Sequence, residues 1–177
     1  MNIFFLAMNP SECAKYHCNK HVVKMILEYA QILCTAHRVI DGTLTVNEKK
    51  RKTWVFQDFR ENIFYKSTHV NHPSVIWARQ STHHYNWLYK LFSDLNSEYQ
   101  HRYHKTHLCW TKLNAHINRP PSNLSSDLPF KSPPLAMPDA CKIPESAVDS
   151  YRKYYILEKA SFCKWTNRPV PEWFLSI

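Results

Sequence analysis

Six polar side chains follow one another through an apolar stretch: His17, His21, Lys24, Glu28, Gln31 and Thr35, at steps of four, three, four, three and four. At about 100° per residue those steps trace one narrow line along a helix. The remainder of Val22 to Ala36 is apolar nearly all round, so such a helix is buried on most of its circumference. Burying a lysine, a glutamate and two histidines is costly unless they are paired or used. A lysine beside a glutamate and histidines can lose its proton and attack a sugar carbon. A glutamate in apolar surroundings can keep its proton and serve as a general acid. Together they suit N-glycosidic cleavage through a Schiff base, or a site that only grips a phosphate or a base. His21, Lys24 and Glu28 are therefore the catalytic candidates. The plain alternative is a Lys24–Glu28 surface pair at i,i+4. His17 and His21 also have the spacing of two imidazoles on one metal, but no third and fourth ligand is evident, and no metal or cofactor is expected.

The elements that must position this line can be read around it. Asn9, Pro10 and Glu12 form a helix start: a cap, a proline at the first position and the acidic partner of a capping box. Gly42, the only glycine, is expected to stop the element in a left-handed conformation, which predicts one helix from Pro10 to Asp41. Thr82 to Lys105 is strongly periodic, with Tyr85, Leu88, Leu91, Phe92, Leu95, Tyr99 and Tyr103 toward the core. Arg79, His83, Asn86, Lys90 and Asp94 lie opposite, and Trp87 stands with them, where a large aromatic needs a reason. Pro73 opens a short helix to Ser81, and Ser146 with Asp149 begins one that runs to about Trp165. Residues 43–72, with the basic cluster from Glu48 to Lys52, read as a helix with a charged first turn or as a mobile loop. The Pro-rich stretch 118–144 is too long for an ordinary connection, and the tail NRPVPEWF reads as extended and aromatic. The expectation is an all-α fold, a single domain over residues 1–177 with a long Pro-rich loop.

The chain carries 23 Lys+Arg against 14 Asp+Glu, a formal charge of +9, which favours DNA, a nucleotide or another polyanion as partner. With one glycine it has neither a P-loop nor a dinucleotide-binding fingerprint. The six cysteines form no C-x-x-C, and the run Ile3–Ala7 is too short and lacks the basic flank of a secretory signal. The reading is an intracellular, reduced protein without a membrane span, in the cytoplasm or nucleus of an infected host if it is viral. Substrate contacts are expected from His17, Lys20 and Gln31 beside the catalytic line. Further contacts are expected from Arg79, Asn86 and Trp87, and from Arg152, Tyr155, Lys159 and Arg168. Arg79 and Arg152 are expected to converge on the cleft as anion contacts, with Trp87, Tyr154, Tyr155, Trp165 or Trp173 available to stack on bases.

The run Lys20-His21-Val22-Val23-Lys24-Met25, the H-P-x-x-x-W-A-R from His72 to Arg79 and the Y-R-x-Y-Y…E-K from Tyr151 to Lys159 resemble an uncharacterised protein family of tailed phages and large DNA viruses. More distantly, the beginning resembles the phage-type pyrimidine-dimer DNA glycosylases, or endonuclease V. In those a short N-terminal run leads into a helix with a His and, seven residues later, the catalytic Glu. His21 and Glu28 keep that spacing, and Arg168-Pro169…Trp173 echoes that family's Arg-Pro-x-Trp. The resemblance implies a helical DNA N-glycosylase and abasic-site lyase whose nucleophile is the α-amine of residue 2. Asn2 should hinder removal of Met1, which leaves Lys24 as the expected nucleophile here. The alternative is a non-catalytic protein holding a nucleotide in the same cleft.

Overall fold

The apolar stretch folds as two helices, not one. In the computed structural model, which describes residues 1–46, 48, 50, 52–125 and 128–175, α1 spans Pro10–Tyr16 and α2 spans Asn19–Asp41. Asn9 caps α1 as expected, accepting from the amides of Ser11 and Glu12, with Pro10 in the first position. The Glu12 carboxylate accepts from the Tyr16 hydroxyl (2.7 Å) rather than closing a capping box. His17 and Cys18 are extended and break the helix. The break is held by Arg102, whose buried guanidinium donates to the carbonyls of Lys15 (2.9 Å) and His17 (2.8 Å) and to Asn19 Oδ1 (3.1 Å). Carbonyls left over at the end of α1 thereby find a donor.

Gly42 does close α2, but at φ −86°, not in the left-handed region. The glycine is required by space: a Cβ there would stand 2.4 Å from the Arg38 carbonyl oxygen.

Around α2 pack α4 (Pro73–Ala78), α5 (Thr82–Tyr103) and α6 (Leu108–Ile117), and α1 also lies on α5. The stripe Tyr85, Leu88, Leu91, Phe92 and Leu95 is buried as its period predicts, while Tyr99 and Tyr103 are half-buried. Trp87 has its reason: the indole N–H donates to the Met8 carbonyl (2.8 Å) and the ring covers Phe5 at 4.9 Å.

Residues 43–55 correct the all-α expectation. β1 (Thr43–Val46) and β2 (Lys52–Val55) form an antiparallel hairpin with Thr43 opposite Val55 and Val46 opposite Lys52. Threonines and valines in both strands favour extended backbone. Of the basic cluster, Lys49 and Arg51 lie outside the described residues. Helix α3 (Arg60–Ile63) follows. Arg38, fully buried, ties hairpin and α3 to α2 by donating to the carbonyls of Trp54, Glu61, Phe64 and Tyr65 and to the Glu61 carboxylate (2.7 Å). The fold is mostly helical with one small sheet.

The Pro-rich stretch lies on the body of the protein. Trp77 Nε1 donates to the Lys131 carbonyl (2.8 Å), the Lys131 amide donates to His84 Nε2 (3.0 Å), and Asn2 Nδ2 donates to the Ala136 carbonyl (2.9 Å). α7 (Ala147–Lys159) starts at the Ser146 cap and ends earlier than expected, in a 3-10 turn from Ala160 to Phe162. The tail is not wholly extended: Glu172–Leu175 form the short α8.

Candidate active site

Ile3 to Ala7 are buried but extended, and no strand pairs with them among the described residues. Side chains hold the segment instead. The Phe4 amide donates to the Tyr29 hydroxyl (3.2 Å), the Cys13 thiol donates to the Phe4 carbonyl (3.2 Å) and the Leu6 amide donates to Cys13 Sγ (3.3 Å). His17 sits behind Tyr29. Its Nδ1 is 2.7 Å from the Cys13 carbonyl, so Nδ1 carries the proton and Nε2 accepts from the Tyr29 hydroxyl at 3.0 Å. Burial lowers His17 to a pKa of about 3, which keeps the ring neutral.

This anchoring brings the start of the chain onto the first turns of α2 and creates a cleft of about 550 Å³. Its floor is Met1, Asn2, Phe4, His21 and Glu28, and its rim includes Lys20, Lys24, Lys159, Tyr154 and Phe162. Asn2 is clamped from the far end of the chain: its Oδ1 accepts from the Ile3 amide (2.8 Å) and the Tyr151 hydroxyl (2.9 Å), and that hydroxyl also reaches the Pro134 carbonyl (2.7 Å).

In the cleft the Met1 amino group lies 3.7 Å from Glu28 Oε2, and Lys24 Nζ lies 3.2 Å from Glu28 Oε1. The two cations differ in surroundings: Lys24 is 69% exposed, whereas the Met1 side chain is buried and anchors the start of the chain in the cleft. His72, the N-cap of α4, belongs to the same electrostatic neighbourhood. Burial lowers its pKa, the Met1 amino group and His69 lower it further, and Glu28 opposes them. His21 stacks on Phe4 at 4.2 Å, and its Nδ1 is 2.5 Å from the hydroxyl of the buried Tyr155. Two rim lysines rest on aromatic faces, Lys20 over Phe162 (4.7 Å) and Lys159 over Tyr154 (4.6 Å).

The six-residue polar line is thus divided. The break before α2 turns His17 into the core, and Gln31 and Thr35 lie beyond the cleft, with the Thr35 hydroxyl donating to the Gln31 carbonyl (2.7 Å). Tyr155 does not line the cleft; it meets the floor from behind, through His21 and edge-on to Phe4 at 5.3 Å. Arg79 and Arg152 do not converge on it. Arg79 donates to the Val70 carbonyl (2.8 Å), and Arg152 donates to the Leu6 carbonyl (3.0 Å) while facing Tyr16 and Trp173 in a second cleft. Arg168 also lines that second cleft, with its fork on Glu98 at 2.6 and 3.1 Å. Burial pushes Glu98 up, but Arg168 and Arg102 outweigh it and hold the carboxyl below its usual range. Asn86 is exposed on α5, and Trp87 is committed to Phe5 and Met8.

Asn2, Phe4, Phe162 and His72 are the site residues that sequence reasoning missed. His72 carried a signal, as a histidine before the proline of α4 within the H-P-x-x-x-W-A-R run; Phe162 carried none. Among the described residues no group of three or more His, Cys, Asp or Glu is placed to hold a metal ion, and no helix is long and apolar enough to cross a membrane.

Residues 1–111 match the family model described as pyrimidine dimer DNA glycosylase. No curated protein and no solved structure matches the chain.

Proposed function

Because the chain belongs to the pyrimidine dimer DNA glycosylase family, we propose that its cleft cleaves the N-glycosidic bond of a damaged pyrimidine in DNA, with the Met1 amino group as nucleophile and Glu28 as the carboxylate that serves it. The observation that carries this reading is the 3.7 Å approach of that amine to Glu28 on the floor of a lysine-rimmed cleft. Lys24 is the weaker candidate because it stands exposed on the rim.

In the reaction the neutral amine attacks C1′ of the deoxyribose. The glycosidic C–N bond breaks with its electrons on the departing base, which takes up a proton. Glu28 accepts the proton that the amine loses, and opening of the sugar ring leaves a protonated imine. Loss of a C2′ proton then expels the 3′ phosphate, and water releases the amine. Lys20, Lys24 and Lys159 supply phosphate contacts, and Tyr154 and Phe162 supply faces for an extruded base. His21, fixed by Phe4 and Tyr155, holds the floor of the cleft.

Borohydride trapping tests the reading, since it reduces the imine to a stable protein–DNA adduct. The adduct should form on DNA carrying pyrimidine dimers or abasic sites. It should survive Lys24→Ala and disappear when the N-terminus is acetylated. Loss with Lys24→Ala alone makes Lys24 the nucleophile. No adduct on any DNA, with saturable binding of a mononucleotide and a shallow salt dependence, makes the protein a nucleotide binder.

A further inference from the structure

Cys18 and Cys163 lie at the edge of the cleft, in two segments laced side by side. The Asn19 amide donates to the Lys164 carbonyl (2.8 Å), the Thr166 amide donates to Asn19 Oδ1 (3.0 Å), and Trp165 Nε1 donates to the Tyr16 carbonyl (3.0 Å). These bonds run alongside both cysteines, and Phe162 meets His21 edge-on at 5.6 Å. All six cysteines are free; five are buried, and Cys163 is half-exposed. Cys18 is the N-cap of the 23-residue α2, and its side chain makes no capping hydrogen bond. A thiolate is favoured at the start of a helix. The Cys163 thiol hydrogen-bonds to Cys18 and pulls it down to a pKa of about 4, burial opposes this, and His21 assists. Cys163 is correspondingly raised, so the pair shares a single proton.

We propose that Cys18 and Cys163 form a dithiol–disulfide pair that reacts with a low-molecular-weight disulfide, such as oxidised glutathione, and that oxidation closes a covalent clasp along the rim of the cleft. The half-exposed Cys163 gives its proton to water and attacks one sulfur of the small disulfide. That S–S bond breaks, and one small thiolate leaves and takes up a proton. The Cys18 thiolate then attacks the Cys163 sulfur, and the bond to the second small thiol breaks, that thiolate taking up a proton. One protein thiol, one protein thiolate, one small disulfide and one proton become one protein disulfide and two small thiols; the protein pair is oxidised and the small disulfide reduced. The clasp removes a negative charge from beside His21 and ties the Phe162 wall to the first turn of α2. It does not depend on what the cleft binds.

The test is incubation of the full chain with excess oxidised glutathione under native conditions, followed by alkylation and peptide mapping. The expected product joins the Cys18 and Cys163 peptides, while Cys13, Cys34, Cys109 and Cys141 are alkylated only after unfolding. Cys18→Ser keeps a good helix cap and should accumulate the Cys163–glutathione mixed disulfide on the order of tenfold above the native sequence. Cys163→Ser should leave Cys18, which is buried, unmodified. If the native sequence accumulates the mixed disulfide as Cys18→Ser does, the sulfurs cannot meet and the proposal is wrong. Cross-links to any other cysteine in equal yield also overturn it.

Discussion

Glu28 holds two amines at once, the Met1 amino group at 3.7 Å on Oε2 and the Lys24 ammonium at 3.2 Å on Oε1. Lys24 stands exposed on the rim while Met1 packs its side chain into the cleft, so removing either end of this trio should have unequal results. Glu28→Gln keeps the side-chain shape and removes its charge. We expect single-turnover cleavage to fall by about 10²–10⁴, the range of a positioned acid–base group, with DNA affinity changed by less than about threefold. Lys24→Ala removes an exposed ion pair worth under about 1 kcal/mol and should leave single-turnover cleavage nearly intact. Equal losses in the two variants would move the chemistry to Lys24.

The Tyr29 hydroxyl ties α2 to the Phe4 amide and also serves His17. Tyr29→Phe strands a buried N–H and a buried imidazole nitrogen. Each unsatisfied group costs about 1–3 kcal/mol. Urea unfolding should show a loss in that range, and the borohydride adduct should form more slowly because the Met1 end of the segment is no longer fixed. An unchanged urea midpoint would mean that the other ties, from Cys13, Arg152 and the clamp on Asn2, hold the segment without it.

Two buried histidines make stability pH-dependent. Burial lowers His17 to about 3 and His37 to about 4, whereas an unfolded histidine titrates near 6.5. Below about pH 6.5 the unfolded chain binds protons that the folded chain refuses, so stability is full above that point and falls as the solution is acidified. From pH 6.5 to pH 5 each histidine should cost about 2 kcal/mol. Urea unfolding at several pH values measures the slope, and His17→Gln should remove its own share, about 2 kcal/mol between pH 6.5 and pH 5. A slope that His17→Gln leaves unaltered would place the titration elsewhere.

Arg38→Met should be among the most damaging single changes in the protein. It leaves four carbonyls and the Glu61 carboxylate without their shared donor. Breaking one side of a buried charged network costs about 3–5 kcal/mol. Arg38→Lys should recover little, because one ammonium cannot reproduce a fork that donates in five directions. Thermal or urea unfolding reads both, and a near-native midpoint for the lysine variant would contradict the account.

The helical periods were legible because burial obeys them: the core stripe of α5 and the apolar body of α2 could be read from spacing alone. His21, Lys24 and Glu28 share a cleft for the same reason, being one face of one helix. His17 was misplaced because the break at Cys18 is made by Arg102, a residue far away in the chain that no local pattern announces. Gly42 was rightly taken as a stop and wrongly given a positive φ, since a close approach to the Arg38 carbonyl asks for the same residue. The hairpin at 43–55 was hidden by a basic cluster that suits a helix's charged end as well as a turn. The contacts that close the cleft were beyond sequence reasoning, for Asn2 gains its place only from Ala136 and Tyr151.

That clamp has a consequence for when the site comes into being during synthesis. Asn2 leaves the ribosome well before Tyr151, its partner, which lies 149 positions further along the chain. The region matched by the family model ends at residue 111, before Ala136, Tyr151, Tyr154 and Phe162 have been made. A nascent chain that has already folded α2 around its core therefore carries an amine with no fixed address. Contacts of such long range are formed late, since their loop entropy must be overcome before they stabilise anything. The cleft exists only once α7 has been made, and a chain that stops short of α7 lacks it.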